Sequence, residues 1–330
     1  MRLRQRTLET DMIINADIFR ALIIMLPALI LTYQFTQRKH SLLRWVGALF
    51  AHIWQFQWRL ILFTAGIHWG LWEFTTTDVT LFGVPIDIIL CAGLLLGVLP
   101  RILFPRLPII VLVIADSLLC LLFFPIVYTE NSVIWIVTLS VLVIVPSQLL
   151  ARWTEYDQHI YLRSALQNTG WAILLLWLFP SIIFNLTQDS WQPLLQRDWM
   201  MNILFLIPMI LPAGLLLNAL YEFARHGRGT AFPYDAPKYL VTSGVYRYLS
   251  NPMQLGIVLM MLFWGAILHS YLVMLSAPVA FILFLVFKNV CNGSCQVGVS
   301  APEEWQHYQQ SVPKWFINIR SSNNNYTAKK

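Results

Sequence analysis

Two tyrosines, an arginine, an asparagine and a glutamine crowd into LVTSGVYRYLSNPMQLG, Leu240 to Gly256. Side chains of these types stack and hydrogen-bond, which is equipment for holding a ligand, and ordinary loops do not need them at such density. The flanks say how the stretch must be held. Upstream, ARHGRGTAFPYDAPKY (224–239) is rich in Gly, Pro and basic residues and reads as a loop. Downstream, residues 253–288 are almost all apolar and break at HSY, 269–271. Two helices of about 17 residues rise roughly 26 Å each, enough for a short hairpin across a membrane. Pro252 suits the first helical turn, with Ser250 or Asn251 as the cap. In APEEWQHYQQSVPKWFINIR (301–320), Trp305, Tyr308, Val312 and Trp315 recur at three- and four-residue steps. That spacing predicts an interfacial amphipathic helix, ended near Pro313, that closes over the mouth of the hairpin.

Composition sets the class. Of 330 residues, 58% are hydrophobic and only 12% are charged, against about 25% in soluble domains. The expected fold is all-α: a polytopic membrane protein of about nine spans. They are placed at 15–36, 46–72, 79–99, 107–128, 132–150, 164–186, 200–222, 253–268 and 271–288. Basic loops alternate with acidic or neutral ones, which puts the carboxyl end in the cytoplasm. Met1 to Arg6 (MRLRQR) argues against an external amino end. No small-residue cleavage site follows residues 17–35, so a retained span is expected there. The net charge of +6 reflects basic cytoplasmic loops, and nucleic-acid binding is not expected.

The polar stretch at 151–161 suggests a boundary. Residues 1–155 form an N-terminal transmembrane domain of about five spans, 156–320 carry the chemistry, and 321–330 (SSNNNYTAKK) are a disordered tail. Asp87 and Asp116 sit inside apolar runs, where a charge costs about 2.5–3.5 kcal/mol. They are either functional or neutral and hydrogen-bonded between packed helices. His52, Arg59, His68 and Glu73 lie among Trp54, Trp58, Trp69 and Trp72 and read as an interfacial aromatic belt. The same reading suits Arg228 and Lys238 as stop-transfer charges. Cys91 and Cys120 read as small hydrophobes. Cys291 and Cys295 form a C-x3-C with no second pair, which points to no metal.

The stretch GTAFPYDAPKYLVTSGVYRYLSNPMQLG resembles the loop-and-helix motif of isoprenylcysteine carboxyl methyltransferases and their bacterial relatives. EEWQHYQQSVPKW is similar to that family's closing segment, and the resemblance covers about 164–320. It implies a methyltransferase-like helical core, S-adenosylmethionine bound at the cytosolic face, and a lipophilic or lipidated acceptor drawn from the membrane lipids. Residue by residue, Leu240, Val241, Gly244, Tyr246 and Tyr248 match the cofactor-wrapping segment, and Asn251 and Pro252 match its His/Asn-Pro pair. Gln254 replaces a tyrosine, and Ser250 an arginine or lysine. The family's acidic pair should fall near Gly293 and Ser294, inside CNGSC. Either Glu303 and Glu304, close to Tyr308, substitute for it, or cofactor binding has diverged.

The chemistry of that cofactor agrees with the residues. Tyr246, Tyr248 and Trp305 offer faces for the sulfonium and the adenine. Arg247 offers a fork for the carboxylate, and Arg247 and Asn251 are the expected catalytic positions. Two rival readings remain. An NADPH-dependent reductase of the sterol-reductase type shares an N-P motif but needs basic groups for the 2′-phosphate, and 291–320 offers only Lys314 and Arg320. A degenerate domain that binds lipid without catalysis is the other.

Overall fold

A computed structural model describes residues 2–74, 79–123, 127–129, 131–231, 235, 237–290 and 302–315. Cys291, Cys295, Arg320 and the polar tail lie outside the described residues, as do the side chains of Glu303 and Trp305. The protein is 77% helical. Its strands are two antiparallel two-residue pairs, Glu73–Phe74 with Val127–Tyr128 and Thr80–Leu81 with Val84–Pro85. The chain forms two compact units, Met1–His159 and Ile160–Lys330.

Each of the nine expected spans overlaps a helix, though 79–99 opens in the strand pair Thr80–Leu81 with Val84–Pro85 and 107–128 ends in strand Val127–Tyr128. Among the described residues, four helices have the length and composition to cross a membrane: Ile86–Leu103, Ser132–Glu155, Ile160–Leu186 and Trp199–Gly227. Arg20–Thr36, Ile109–Phe123, Pro252–Ile267 and Tyr271–Leu283 are apolar but shorter. The first helix runs back to Arg2, beyond the expected start at 15. Ile203, Leu204, Ile207, Ile210 and Leu211 stand exposed on Trp199–Gly227, as side chains facing hydrocarbon do.

Prolines inside these helices create a shared problem. A proline lacks the N–H that would bond the carbonyl four residues back, and its ring crowds that carbonyl. In hydrocarbon no water replaces the lost bond. Three helices answer by opening a π-helical turn, at Gly93–Val98 before Pro100, Ser140–Ile144 before Pro146 and Leu174–Leu178 before Pro180. A side chain from another helix then serves each freed carbonyl. Gln148 Nε2 donates to Leu96 O at 2.8 Å, Trp54 Nε1 to Leu142 O at 3.1 Å, and Trp264 Nε1 to Leu176 O at 2.9 Å. Pro27 shows the same arrangement, its Ile23 carbonyl taken by the Cys91 thiol at 2.7 Å.

In the N-terminal unit, helix Leu42–His68 is the buried centre. A Cβ on its Gly47 would sit 2.5 Å from the Ala151 carbonyl oxygen, so glycine permits the close crossing with Ser132–Glu155. Here the aromatic-belt reading fails. Trp54, Arg59 and Trp72 are at most 5% exposed, because Trp72 packs on Phe63 and Trp135 and Trp54 is committed to Leu142. Trp69 does remain exposed. The intramembrane acids are paired between helices: Asp116 accepts from Gln148 at 3.0 Å, and Asp87 lies 3.6 Å from Arg20. Buried Glu155 accepts from both Arg44 and Arg101.

In the C-terminal unit, Pro252–Ile267 and Tyr271–Val290 form the expected hairpin. A Cβ on Gly265 would fall 2.4 Å from the Met274 amide nitrogen, so the tight return needs glycine there. Ser270 closes the turn, its amide bonding Gly265 O at 2.9 Å and its hydroxyl donating to Asp189 at 2.6 Å.

If Trp264 serves the carbonyl that Pro180 frees, Trp264→Phe costs about 1–3 kcal/mol, the penalty of an unmet buried acceptor. In a Pro180→Ala background the alanine N–H restores the helical bond, and the same change costs about 1 kcal/mol less. Unfolding in mixed micelles measures both. Equal costs would show that the carbonyl is not what Trp264 serves.

Candidate functional site

The loop after Trp199–Gly227 is folded by main-chain bonds and one buried ion pair. Gly227 O accepts from Lys238 N at 2.7 Å and from Tyr239 N at 3.3 Å. Asp235 takes Thr230 N on its carbonyl at 2.8 Å and the fully buried Arg163 on its carboxylate at 3.0 Å. Arg163 thus ties Asp235 to helix Ile160–Leu186.

From there the chain enters the motif. Leu240 is half-buried and Val241 buried. Gly244 has φ +57°, a region that favours glycine, and a Cβ there would meet Glu222 Cγ at 2.6 Å. Glycine is therefore required twice at this position, for its backbone and for its closeness to Glu222. A 3-10 turn follows at Gly244–Arg247, and Val245 N bonds Asn218 Oδ1 at 3.2 Å. The turn points alternate side chains in opposite directions. Tyr246 is buried and stacks on Phe223 at 5.1 Å and 14°, while Arg247 and Tyr248 are exposed.

The closing segment returns onto this turn. Tyr308 Oη donates to Tyr246 O at 2.7 Å, Ser250 N to Pro313 O at 2.9 Å, and Asn251 Nδ2 to Lys314 O at 3.3 Å. Trp315 sits edge-on against Phe281 at 4.7 Å. Val241, Tyr246, Met253, Tyr308 and Val312 share one apolar core with Ala219 and Leu220. Burial pushes the Tyr246 phenol well above the usual tyrosine range, with Tyr308 and Glu222 adding to it, and burial alone raises Tyr308. Both stay neutral.

Asn251 holds the N-cap position of Pro252–Ile267, with Pro252 in the first turn, but its side chain makes no cap bond. It reaches across to the closing segment instead. Ser250 does not cap either: its Oγ is buried with no hydrogen-bond partner among the described residues. Gln254 is half-buried on the first turn of the hairpin, and the Glu304 side chain is exposed on helix Pro302–Ser311, which also carries Glu303. The structure thus gathers Val241, Tyr246, Asn251 and Tyr308 and leaves Arg247, Tyr248 and Glu304 at the surface. Among the described residues no group of three His, Cys, Asp or Glu side chains stands ready for a metal.

Three residues at this place were not singled out from the sequence. Glu222 is buried, and its carboxylate accepts from Ser243 Oγ and lies 2.8 Å from His226 Nδ1. Ser243 Oγ is 3.2 Å from the same ring nitrogen. The available signal was the i, i+4 spacing of Glu and His in YEFARHG.

Residues 202–292 match the family model for phospholipid methyltransferases. The resemblance read in the C-terminal part of the chain therefore rests on a match that spans Glu222, the Gly244 turn and the hairpin. A multi-pass membrane methyltransferase is what the match and the apolar helices together support. No curated protein and no solved structure matches the chain.

Removing the amide that reaches Lys314 should loosen the closing segment. Asn251→Asp loses the donor and sets a carboxylate against a carbonyl, whereas Asn251→Ala only loses the bond. At about 1 kcal/mol the Ala variant exchanges the Ser250 amide about fivefold faster, and Asp exceeds it. Hydrogen exchange by mass spectrometry measures this, and parent-like protection in both variants would overturn it.

Proposed function

We propose that the C-terminal unit is an S-adenosylmethionine-dependent methyltransferase acting on a lipophilic substrate at the cytosolic membrane face. The observation that carries this reading is the return of residues 308–314 onto 246–251, which ties the closing segment by hydrogen bonds to one end of an apolar hairpin. Such an arrangement lets a water-soluble cofactor and a membrane-dissolved acceptor meet at one boundary.

The residues present fit that cofactor. The Arg247 fork is exposed and free to pair with a carboxylate bidentately. The Tyr248 ring is 38% exposed and offers its face to a cation or an adenine. The Tyr246 ring is committed to Phe223, so its part is to shape the wall. The buried Ser250 hydroxyl, with no partner among the described residues, is a polar group that a ligand could satisfy. Leu240, Val241 and Gly244 form the backbone wrap, Asn251 and Pro252 set the floor, and Gln254 adds an amide above it. Glu304 faces outward on its helix, and a buried acid, Glu222, lies against Gly244.

When bound, S-adenosylmethionine supplies a methyl group on a sulfonium. The chain's contribution is to hold the acceptor in line, exclude water and stabilise shifting charge. The apolar faces beside this end of the hairpin, with Leu217 and Tyr221 exposed, give a lipophilic acceptor a path from the bilayer.

Binding of labelled S-adenosylmethionine to the purified full chain tests the reading, with NADPH as competitor. Arg247→Gln should weaken binding by about 10- to 150-fold, the loss of one charge-assisted bond at about 1.5–3 kcal/mol. Displacement by NADPH would favour a reductase, and no binding of either would leave a non-catalytic lipid binder. For sidedness, cysteines placed at Tyr239 and Gln310 should both label from the cytosolic face. Labelling from opposite faces would separate the two halves of the site.

A further inference from the structure

The Glu222, His226 and Ser243 cluster has the arrangement of a proton-accepting relay. Glu222 and His226 lie one helical turn apart, and the π-helical turn Phe223–Gly227 carries the imidazole to the end of the helix. The carboxylate side chain is 10% exposed and the imidazole 45% exposed. A carboxylate facing Nδ1 at 2.8 Å selects the tautomer with its proton on Nδ1, which leaves the Nε2 lone pair free. The exposed side of the ring is then its basic side.

An anchoring role does not account for the imidazole. The Gly244 turn is already held by Ser243 Oγ on Glu222 and by Val245 N on Asn218. A plain i, i+4 surface pair adds little to a helix and needs no buried partner. Here the acid is buried, shared with a hydroxyl and crowded by a left-handed glycine whose Cβ would collide with it. The neighbouring arginine is turned elsewhere: Arg225 donates to Tyr221 Oη at 3.0 Å.

We infer that His226 is the general base for the methyl acceptor, positioned by Glu222, and that the acceptor is a lipophilic hydroxyl or amine rather than a carboxylate. The inference rests on the methyltransferase reading above. A carboxylate is already ionised at neutral pH and has no proton to lose, and the Glu222 anion would repel it. A phenol or alcohol loses its proton as it attacks, and an ammonium must first give one up to expose its lone pair. As the acceptor oxygen or nitrogen bonds to the methyl carbon, the carbon–sulfur bond breaks and its electron pair stays on sulfur, giving a neutral thioether. The acceptor proton passes to His226 Nε2. With a hydroxyl acceptor the positive charge that leaves sulfur reappears on the imidazolium, where Glu222 stabilises it across Nδ1–H; with an amine it stays on the methylated nitrogen, and the imidazolium holds the proton the ammonium gave up. Ser243 keeps the carboxylate aligned.

The test uses the full chain in lipid nanodiscs with labelled S-adenosylmethionine. The probes are a long-chain alkylphenol, the alkylamine and the fatty acid of equal chain length. The expected result is transfer to the phenol or amine over the fatty acid. His226→Gln should lower it by at least about 100-fold, the usual scale of general-base catalysis, with cofactor affinity unchanged. Two readouts do not need turnover. Carbethoxylation of His226 in the parent should be slowed by the alkylphenol and not by the fatty acid. Nitrogen-15 spectra of the imidazole should show the Nδ1–H tautomer in the parent and a tautomer mixture in Glu222→Gln. Preferred methylation of the fatty acid, parent-rate transfer by His226→Gln, or an unchanged tautomer in Glu222→Gln would overturn the proposal. A parent that binds no S-adenosylmethionine would overturn the methyltransferase reading itself.

Discussion

A backbone carbonyl in hydrocarbon has no water to turn to, and the rest of this structure follows from that constraint. Every proline in a spanning helix removes one N–H and strands one carbonyl. At Pro27, Pro100, Pro146 and Pro180 the stranded groups are met by Cys91, Gln148, Trp54 and Trp264 respectively. Each such bond does more than satisfy an acceptor. It fixes the rotation of one helix about its axis relative to another, because an indole or amide reaches its target from one face only. Apolar packing in a bilayer discriminates weakly between rotations, since lipid tails are as apolar as leucine. These few directional bonds therefore carry much of the specificity inside each unit.

Buried charges obey the same rule at higher stakes. Glu155 is held between Arg44 and Arg101, Asp235 by Arg163, and Glu222 by Ser243 and His226. Removing one partner of a buried pair is costly, so these groups move together or stay put. That is why Asp235, outside any long helix, is still held: Arg163 reaches it from a spanning helix. Near the end of the hairpin water is available again, and Arg247 and Tyr248 can stand exposed. The two regimes meet at this turn, with the buried Glu222 on one side and the solvent-facing Arg247 and Tyr248 on the other.

Much of this was legible in the chain. Long apolar runs announced the helices, HSY at 269–271 marked the return of the hairpin, and the spacing of Tyr308, Val312 and Trp315 announced a closing segment that does pack over residues 246–251. Other readings failed for a common reason. Trp54, Arg59 and Trp72 looked like an interfacial belt because sequence shows composition and not depth, and only packing against helix Ser132–Glu155 reveals them as core. Asn251 looked like a helix cap because of its position, yet its amide serves a carbonyl 63 residues away.

The sequence by itself determined the class of protein, the helical segments, the hairpin and the stretch that carries the motif, because hydropathy, proline and glycine act locally along the chain. Tertiary structure alone decided which polar groups share a place. Glu222 and Ser243 lie 21 residues apart and meet only because Gly244 takes a left-handed backbone against the helix. The Tyr246 ring became part of the core because Phe223 claimed its face. Hydrogen bonds and stacking are directional and short in range, so their partners are chosen by the fold, after hydrophobic pattern has chosen the helices.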